Sequence, residues 1–484
     1  MKGWIIACGL GLLASSSTFA QTTNTTNPFS YVPKFEVPEI GSGIGFLDKQ
    51  REAQIGAQVY RQVYRVMPVI QDPWLEDQLF STFSQLLTQT QLGKPIGLLL
   101  INDKQINAFA VPGGLFALNA GLITHARNLD EVVGVMAHEV AHVSQRHYSR
   151  SQEAFKGQGL LALAGIVVGA LIATQGGGDA GAAVMLGSQA ALMDKQLNYS
   201  RNQEREADRI GMQYMYALGY NPQSMADFFE VMHRESSRVS FLPDFWLTHP
   251  LTSERMSEAR LRANQLPKIH KPTNQEDFDI LKLYTSVLSN QATEQQLLSV
   301  AQQNSFAGKI ALSTYYLKSG DYVKSQQALN DAMSQGKKHN LIPLVQTDIY
   351  LGQNRPDLAL STIQSIAKVT PENRALNYKL AEVYIRLNQP LEAQNIVQKF
   401  VQKNPQDVQG WELMQYAANT DKSNPLHAVN VLRYRAEAQF WSGWEQEAVK
   451  SLLQAQRISK DNKSMAATLK KRIAEMQGDI TAKV

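Results

Sequence analysis

His138-Glu139-Val140-Ala141-His142 sets two imidazoles four residues apart with a carboxylate beside the first. On a helix with 3.6 residues per turn, positions i and i+4 share a face, so both rings can reach one metal ion. Glu139 lies next to that face, near enough to take a proton from a water on the metal. Two neutral imidazoles and a nearby carboxylate base are what a zinc hydrolase needs. Such enzymes usually hold Zn2+ through three protein ligands and keep the fourth position open for water. The best source of the third ligand is the run Asn202-Gln203-Glu204-Arg205-Glu206-Ala207-Asp208-Arg209. Glu204 and Asp208 share a helical face, so Glu204 can ligate while Asp208 accepts a hydrogen bond from a ligand imidazole. Glu206 is the rival ligand, but it points roughly 200° away from Glu204 around the same helix.

The element that must position the histidines is legible. From Leu129 to Ser149 the chain reads as one helix, with Val132, Val133, Val135, Met136, Val140 and Val143 forming a broad apolar face. Asp130 and Glu131 near its start, and Arg146 and His147 near its end, suit the helix dipole. Two histidines in so apolar a helix are costly unless paired, and a metal removes that cost. His147 follows His142 by five residues, about 140° around an unbroken helix, and is expected to be an exposed helix-end residue. A second helical run is expected to open with the Asn202–Arg209 segment and to end near Gly219.

These residues resemble a known family. HExxH followed at a distance by ExxxD is the pattern of the CAAX-prenyl-protease/HtpX family of gluzincin metallopeptidases. Asn107-Ala108-Phe109-Ala110-Val111-Pro112-Gly113-Gly114, followed by Gly121-Leu122-Ile123, also looks like that family. The resemblance covers roughly residues 47 to 265. It implies that His138, His142 and Glu204 hold one zinc ion, that Glu139 is the general base, and that Asp208 braces a ligand. It also implies that the Asn107–Ala110 strand edges the substrate cleft, where an extended peptide could add by main-chain hydrogen bonds. The segment Leu247-Thr248-His249-Pro250 falls near the cleft on the same resemblance. Pro250 forces His249 into an extended loop, and Thr252 or Ser253 offers an N-cap to the helix that carries Arg255. His249 then either fills the open metal position as a plug, stabilises the oxyanion, or faces solvent at a helix start. Arg255 is the other candidate for the oxyanion.

Residues 1–20 have the pattern of a secretory signal peptide: Lys2, an apolar stretch from Trp4 to Leu13, then Thr18-Phe19-Ala20 at the cleavage site. Cys8, the only cysteine, lies inside it, so the mature chain is expected to hold its metal by nitrogen and oxygen alone. Such a signal without later anchors points to the periplasm of a Gram-negative bacterium. Residues 21–46, rich in Thr, Asn, Pro and Gly, read as an extended leader. A net charge of +4 is too weak to suggest nucleic acid, and no Walker loop, dinucleotide fingerprint or RNA-binding aromatic motif is present. The apolar stretch 159–173 is shorter than the roughly 20 residues that span a bilayer. It reads as a buried or cleft-covering helical hairpin, with a peripheral membrane-surface contact or insertion as the alternatives.

The second half carries an internal repeat. Arg374 to Asp407 places Leu380, Ala381, Tyr384, Ala393 and Pro405 where a 34-residue tetratricopeptide repeat needs them. One period back stand Tyr350, Ala359 and Pro371, and before them Tyr316 and Ser325. Ala436, Gly443 and Ala448 suggest a further unit, out of phase after an irregular stretch near Asn419–Pro425. Small residues at these positions let antiparallel helices pack closely and bury a continuous core. The fold expected is mainly α: an HExxH gluzincin peptidase domain at 47–267 with a small β-sheet, followed by an α-solenoid of tetratricopeptide repeats at 268–484.

A signal peptide, such a peptidase domain and a C-terminal repeat array together resemble the periplasmic BepA-type metalloproteases. That resemblance implies quality control of outer-membrane proteins: degradation of misassembled clients, assistance to their assembly, and repeats that bind clients or the assembly machinery. Composition and spacing by themselves support only a secreted zinc peptidase tethered to a protein-binding array. A chaperone or adaptor with a latent or structural zinc site is the alternative. On the tethered reading, removing the chain after about residue 268 leaves the metal site intact.

Overall fold

The computed structural model describes residues 49–154, 190–236, 249–267, 269 and 274–482. The expected signal peptide, the leader and the apolar stretch 159–173 lie outside the described residues. The architecture is mostly helical with one small sheet, a peptidase domain followed by helical repeats. The elements of the first half are α1 (Lys49–Val66), α2 (Pro73–Leu87), β1 (Gly97–Ile101), β2 (Ala108–Val111), β3 (Leu115–Asn119), α3 (Ala120–His125), α4 (Leu129–Ser144), α5 (His147–Ala154), α6 (Ala190–Ala217), α7 (Gln223–Ser236) and α8 (Ser253–Gln265).

The sheet runs β1-β3-β2, with β1 and β3 parallel and β2 antiparallel to β3. β1 and β3 read GLLLI and LFALN, nearly unbroken apolar runs that suit strands covered on both faces. Alternation sorts their side chains. Leu98, Leu100, Ala108, Phe116 and Leu118 join the core that includes α2 and α4. Leu99, Ile101, Phe109, Val111, Leu115 and Ala117 pack with Ile55, Val59 and Val63 of α1. Gly113 and Gly114 turn β2 into β3 with φ of 84° and 75°, a conformation open to glycine. A Cβ on Gly113 would also stand 2.1 Å from the Glu52 carbonyl of α1, so α1 closes over this turn because nothing protrudes from it.

α4 starts where the Asn128 side chain caps the Glu131 N–H, with Asp130 and Glu131 in the first turn. It ends at Ser144, five residues short of the expected Ser149. Arg146 adopts a left-handed φ of 53°, and α5 begins at the next residue. α6 starts at Ala190, well before the expected Asn202, and stops at Ala217, with Gly219 left-handed just beyond it.

The repeat pairs are Phe306–Lys318 with Tyr322–Met333, Leu341–Gly352 with Pro356–Val369, and Arg374–Arg386 with Pro390–Lys403. Leu380, Ala381, Ala393 and Ala359 are buried between their helices, and Ser325 keeps its place by exchanging hydrogen bonds with Ser313. The turns within these pairs use Gly320, Asn354 and Asn388, all left-handed and one period apart. An extra helix, Val408–Thr420, then shifts the phase before the pair His427–Trp441 and Glu445–Ile458. The irregular break lies after Thr420, slightly later than the sequence suggested.

The tethered reading needs correction. A single apolar core runs from Trp74 and Leu75 of α2, through Val132 and Val140 of α4, to Phe278, Tyr284, Leu380 and Tyr434 of the second half. The Trp74 ring lies edge-on to Tyr284 and His339. Asp72, the N-cap of α2, also accepts a 2.8 Å hydrogen bond from the Tyr284 hydroxyl. Arg374 reaches Glu76 at 2.5 Å, Asp77 at 3.1 Å and Asp407 at 3.0 Å, joining α2 to the repeats. Burial, only partly offset by Arg374, pushes Glu76 up to about 7. Removing the guanidinium leaves three carboxylates facing one another. Arg374→Ala is therefore expected to cost about 2–4 kcal/mol, read from its urea midpoint. A midpoint unchanged from wild type would show that the cluster is solvated.

No helix among the described residues is long and apolar enough to cross a membrane.

Candidate metal centre

α4 brings His138, Glu139 and His142 into the middle of the domain, where His138 and Glu139 are buried. α6 crosses it closely because Gly211 has no side chain: a Cβ there would stand 3.1 Å from the Ala137 carbonyl carbon and the His138 nitrogen. Glu204, Ala207, Asp208 and Gly211 follow the spacing of one helical stripe. The approach at Gly211 therefore carries Glu204 and Asp208 to the histidines. His249 enters from the bend that it makes just before Pro250, and Thr252 caps α8 by accepting from the Arg255 N–H.

Four donors converge, one each from His138, His142, Glu204 and His249, all within 4.8 Å of one another. His138 Nε2 lies 3.0 Å from His142 Nε2, 3.3 Å from Glu204 Oε2 and 3.4 Å from His249 Nδ1. His142 Nε2 is 3.3 Å from Glu204 Oε1, which is 3.0 Å from His249 Nδ1. A tetrahedral ion with bonds of about 2.0–2.1 Å holds its donors about 3.3–3.4 Å apart, so a metal of zinc's size fits between these atoms. The set is nitrogen and oxygen only, which suits zinc.

The surroundings support the same use. Burial pushes His142 down to about 3, so its ring is a neutral donor at physiological pH. Burial also lowers His138, but Asp208 and Glu204 outweigh it and bring that ring to about 10; a bound metal takes the place of that proton. Burial works to raise the pKa of Glu204, but His249, His142 and Arg255 overcome it and hold the carboxylate ionised. Burial raises Glu139, as befits a base. The Ala110 N–H hydrogen-bonds the Glu139 carboxylate, while its Oε1 has no hydrogen-bond partner and lies 3.5 Å from His249 Nε2.

His138 Nδ1 stands 2.9 Å from Asp208 Oδ1, close enough for an ion-pair contact but poorly aligned for a hydrogen bond. Arg255 is buried and grips Asp208 through Nε and Nη2 at 2.9 and 2.8 Å, while Nη1 meets Glu204 Oε2 and the Pro250 carbonyl, both at 2.9 Å. With its nitrogens so engaged, Arg255 holds the Glu204 and Asp208 carboxylates in place. β2 is an edge strand beside α4. Asn119 N donates to the Asn107 carbonyl, so Asn107, Phe109 and Val111 turn their main-chain groups to β3 and Ala108 and Ala110 turn theirs outward.

His147 is not the exposed residue that the sequence suggested. It is buried, with Nδ1 2.9 Å from His142 Nδ1 and Nε2 3.1 Å from Glu206 Oε2. The expectation assumed an unbroken helix; the left-handed turn at Arg146 instead folds His147 back under His142. Arginine carries no turn signal, so nothing local in the sequence marks the break. Glu206, weighed as a rival ligand, pairs with His147 and Arg150 instead of joining the cluster.

Residues 73–263 match the model of peptidase family M48, and residues 350–416 match a tetratricopeptide repeat. The chain is 31% identical over 392 residues to the β-barrel assembly-enhancing protease of Escherichia coli K12, covering 79% of this chain and 80% of that protein. The protein of the same description from Yersinia pestis is 30% identical over 394 residues, with 79% and 80% covered. The metalloprotease LoiP of E. coli K12 is 29% identical over 187 residues, which is 38% of this chain and 68% of that protein.

Proposed function

The chain belongs to peptidase family M48 and is a metalloendopeptidase, and from that premise we propose that it is a periplasmic, zinc-dependent protease acting on outer-membrane β-barrel proteins during their assembly. In this reading His138, His142 and Glu204 hold one zinc ion and Asp208 steadies His138. The observation that carries it is the tetrahedral spacing of buried nitrogen and oxygen donors beside a carboxylate, one oxygen of which has no hydrogen-bond partner. When bound, zinc supplies a Lewis acid that polarises a carbonyl and lowers the pKa of water towards neutrality.

The chain's own groups do the rest. An extended client segment pairs with the outward main-chain groups of Ala108 and with the Ala110 carbonyl, which lays its peptide bond along α4. Glu139, anchored by the Ala110 N–H, takes the proton of the attacking water on Oε1 and returns it to the leaving amine. Arg255 keeps Glu204 ionised and aimed. The repeats, fused to the peptidase core, hold clients or assembly machinery. The division at 267/268 marks a change of architecture in a chain whose halves share a core. The relatives' role in β-barrel assembly supports the β-barrel client, and the N-terminal pattern, with cleavage after Ala20, supports the periplasmic setting. Degradation of misassembled barrels is tested by following a full-length barrel client with the wild-type and Glu139→Gln chains; a client equally stable with both argues for assistance without cleavage.

One observation favours a restrained enzyme over a permanently open one. His249 Nδ1 stands where a fourth ligand belongs, and its other nitrogen faces the base. If the plugged form dominates and about a tenth of molecules are open, His249→Ala raises proteolysis about tenfold while zinc stays bound. A fall in rate with zinc retained assigns His249 to the oxyanion instead. An unchanged rate sinks both.

A further inference from the structure

A metal-binding imidazole is only as well aimed as the group behind it, and the two histidines of α4 are backed differently. His138 has its outer nitrogen 2.9 Å from a carboxylate oxygen, Asp208 Oδ1. His142 turns its outer nitrogen toward another ring. His147 Nδ1 faces His142 Nδ1 at 2.9 Å, and only one proton can lie between two such nitrogens. With Nε2 of His142 directed at the metal, the proton belongs on His142 Nδ1, and His147 accepts it as a neutral ring. His147 then carries its own proton on Nε2 and donates it to Glu206 Oε2 at 3.1 Å. Arg150 Nη1 donates to the same oxygen at 2.9 Å and keeps that carboxylate charged.

The relay is built into the fold. Arg146 spends an unfavourable backbone conformation to return His147 beneath His142. The Gln203 side chain donates to the His147 carbonyl at 3.0 Å and meets Ser151, locking α5 to α6. α6 thus supplies Glu204 to the cluster and, two residues on, Glu206 to the far end of the relay.

We propose that His147, braced by Glu206 and Arg150, is a positioning residue that fixes the tautomer and ring orientation of His142 for metal binding. This rests on the metal reading above. Zinc affinity of the full-length protein, by competition with a fluorescent chelator, together with the visible spectrum of the cobalt(II)-substituted protein, tests it without reference to proteolysis. His147→Ala is expected to weaken zinc binding 10–100-fold and to shift the cobalt bands, the range seen when such outer partners are removed. His147→Asn places an amide oxygen where Nδ1 stood and is expected to recover most of the affinity and the wild-type spectrum. Wild-type affinity in His147→Ala, or an Asn variant as weak as the Ala one, overturns the proposal. If His147→Ala does not fold, Glu206→Gln replaces it: several-fold weaker zinc at unchanged melting of the metal-free chain supports the relay, and unchanged affinity overturns it. A wild-type chain that binds no zinc fails the metal reading first and takes this inference with it.

Discussion

Glu139→Gln is expected to abolish nearly all proteolysis, on the order of a thousandfold or more, while zinc stays bound at one per chain. Glutamine keeps the size of the side chain and can still meet the Ala110 N–H through its amide oxygen, so α4 and β2 hold their spacing. What is lost is the basic Oε1, the oxygen that has no hydrogen-bond partner in the folded protein. Because Glu139 lies outside the four-donor cluster, metal content should not follow activity. The measurement is a time course on an unfolded protein, paired with zinc analysis of the same samples. Near-normal cleavage with metal in place would falsify the assignment of the base. Loss of zinc together with activity would show instead that Glu139 supports the metal.

The helix of the histidines could be read from the sequence because its evidence is local. An i, i+4 pair in an apolar run fixes which residues share a face, and the same rule relates Glu204 to Asp208. The repeats were legible for a similar reason: a 34-residue period shows even in degenerate units, and its helices bury the small residues the period marks. The helical fold with a small sheet followed from these two signals.

What escaped depends on single residues or on distant contacts. The placing of His147 turns on one left-handed arginine, and a helix continuing through Arg146 would carry that ring away from His142. β1 and β3 carry no motif; the Asn107–Gly114 and Gly121–Ile123 segments flank β3 and do not mark it. That His249 reaches Glu204 is a tertiary fact; Pro250 marks the loop and not its destination. The shared core was hidden most completely. Trp74 and Tyr284, or Glu76 and Arg374, lie more than 200 residues apart, and no periodicity links them.

That core sets the second large effect. A chain ending after residue 267 is expected to lose cooperative folding, and with it stoichiometric zinc, instead of persisting as a small peptidase. The cut uncovers Trp74, which packs edge-on to Tyr284 and His339, and Tyr60, which meets Trp441 and donates to the Gln406 carbonyl at 2.9 Å. It strips α3 of the Lys282 amine that donates to the Ala126 carbonyl at 2.8 Å, and leaves Glu76 and Asp77 without Arg374. Each large aromatic returned to water costs about 1.5–3 kcal/mol, and the orphaned polar groups add a few more. The total, about 5–10 kcal/mol, is comparable to the whole stability of an ordinary domain. The metal adds stability only to a folded site, so zinc cannot make up the loss if the histidines are never brought together. Circular dichroism melting and zinc titration of the truncated chain give the answer. A soluble fragment that melts in one sharp transition and binds one zinc would show that the peptidase half folds alone and that the repeats are an appendage after all.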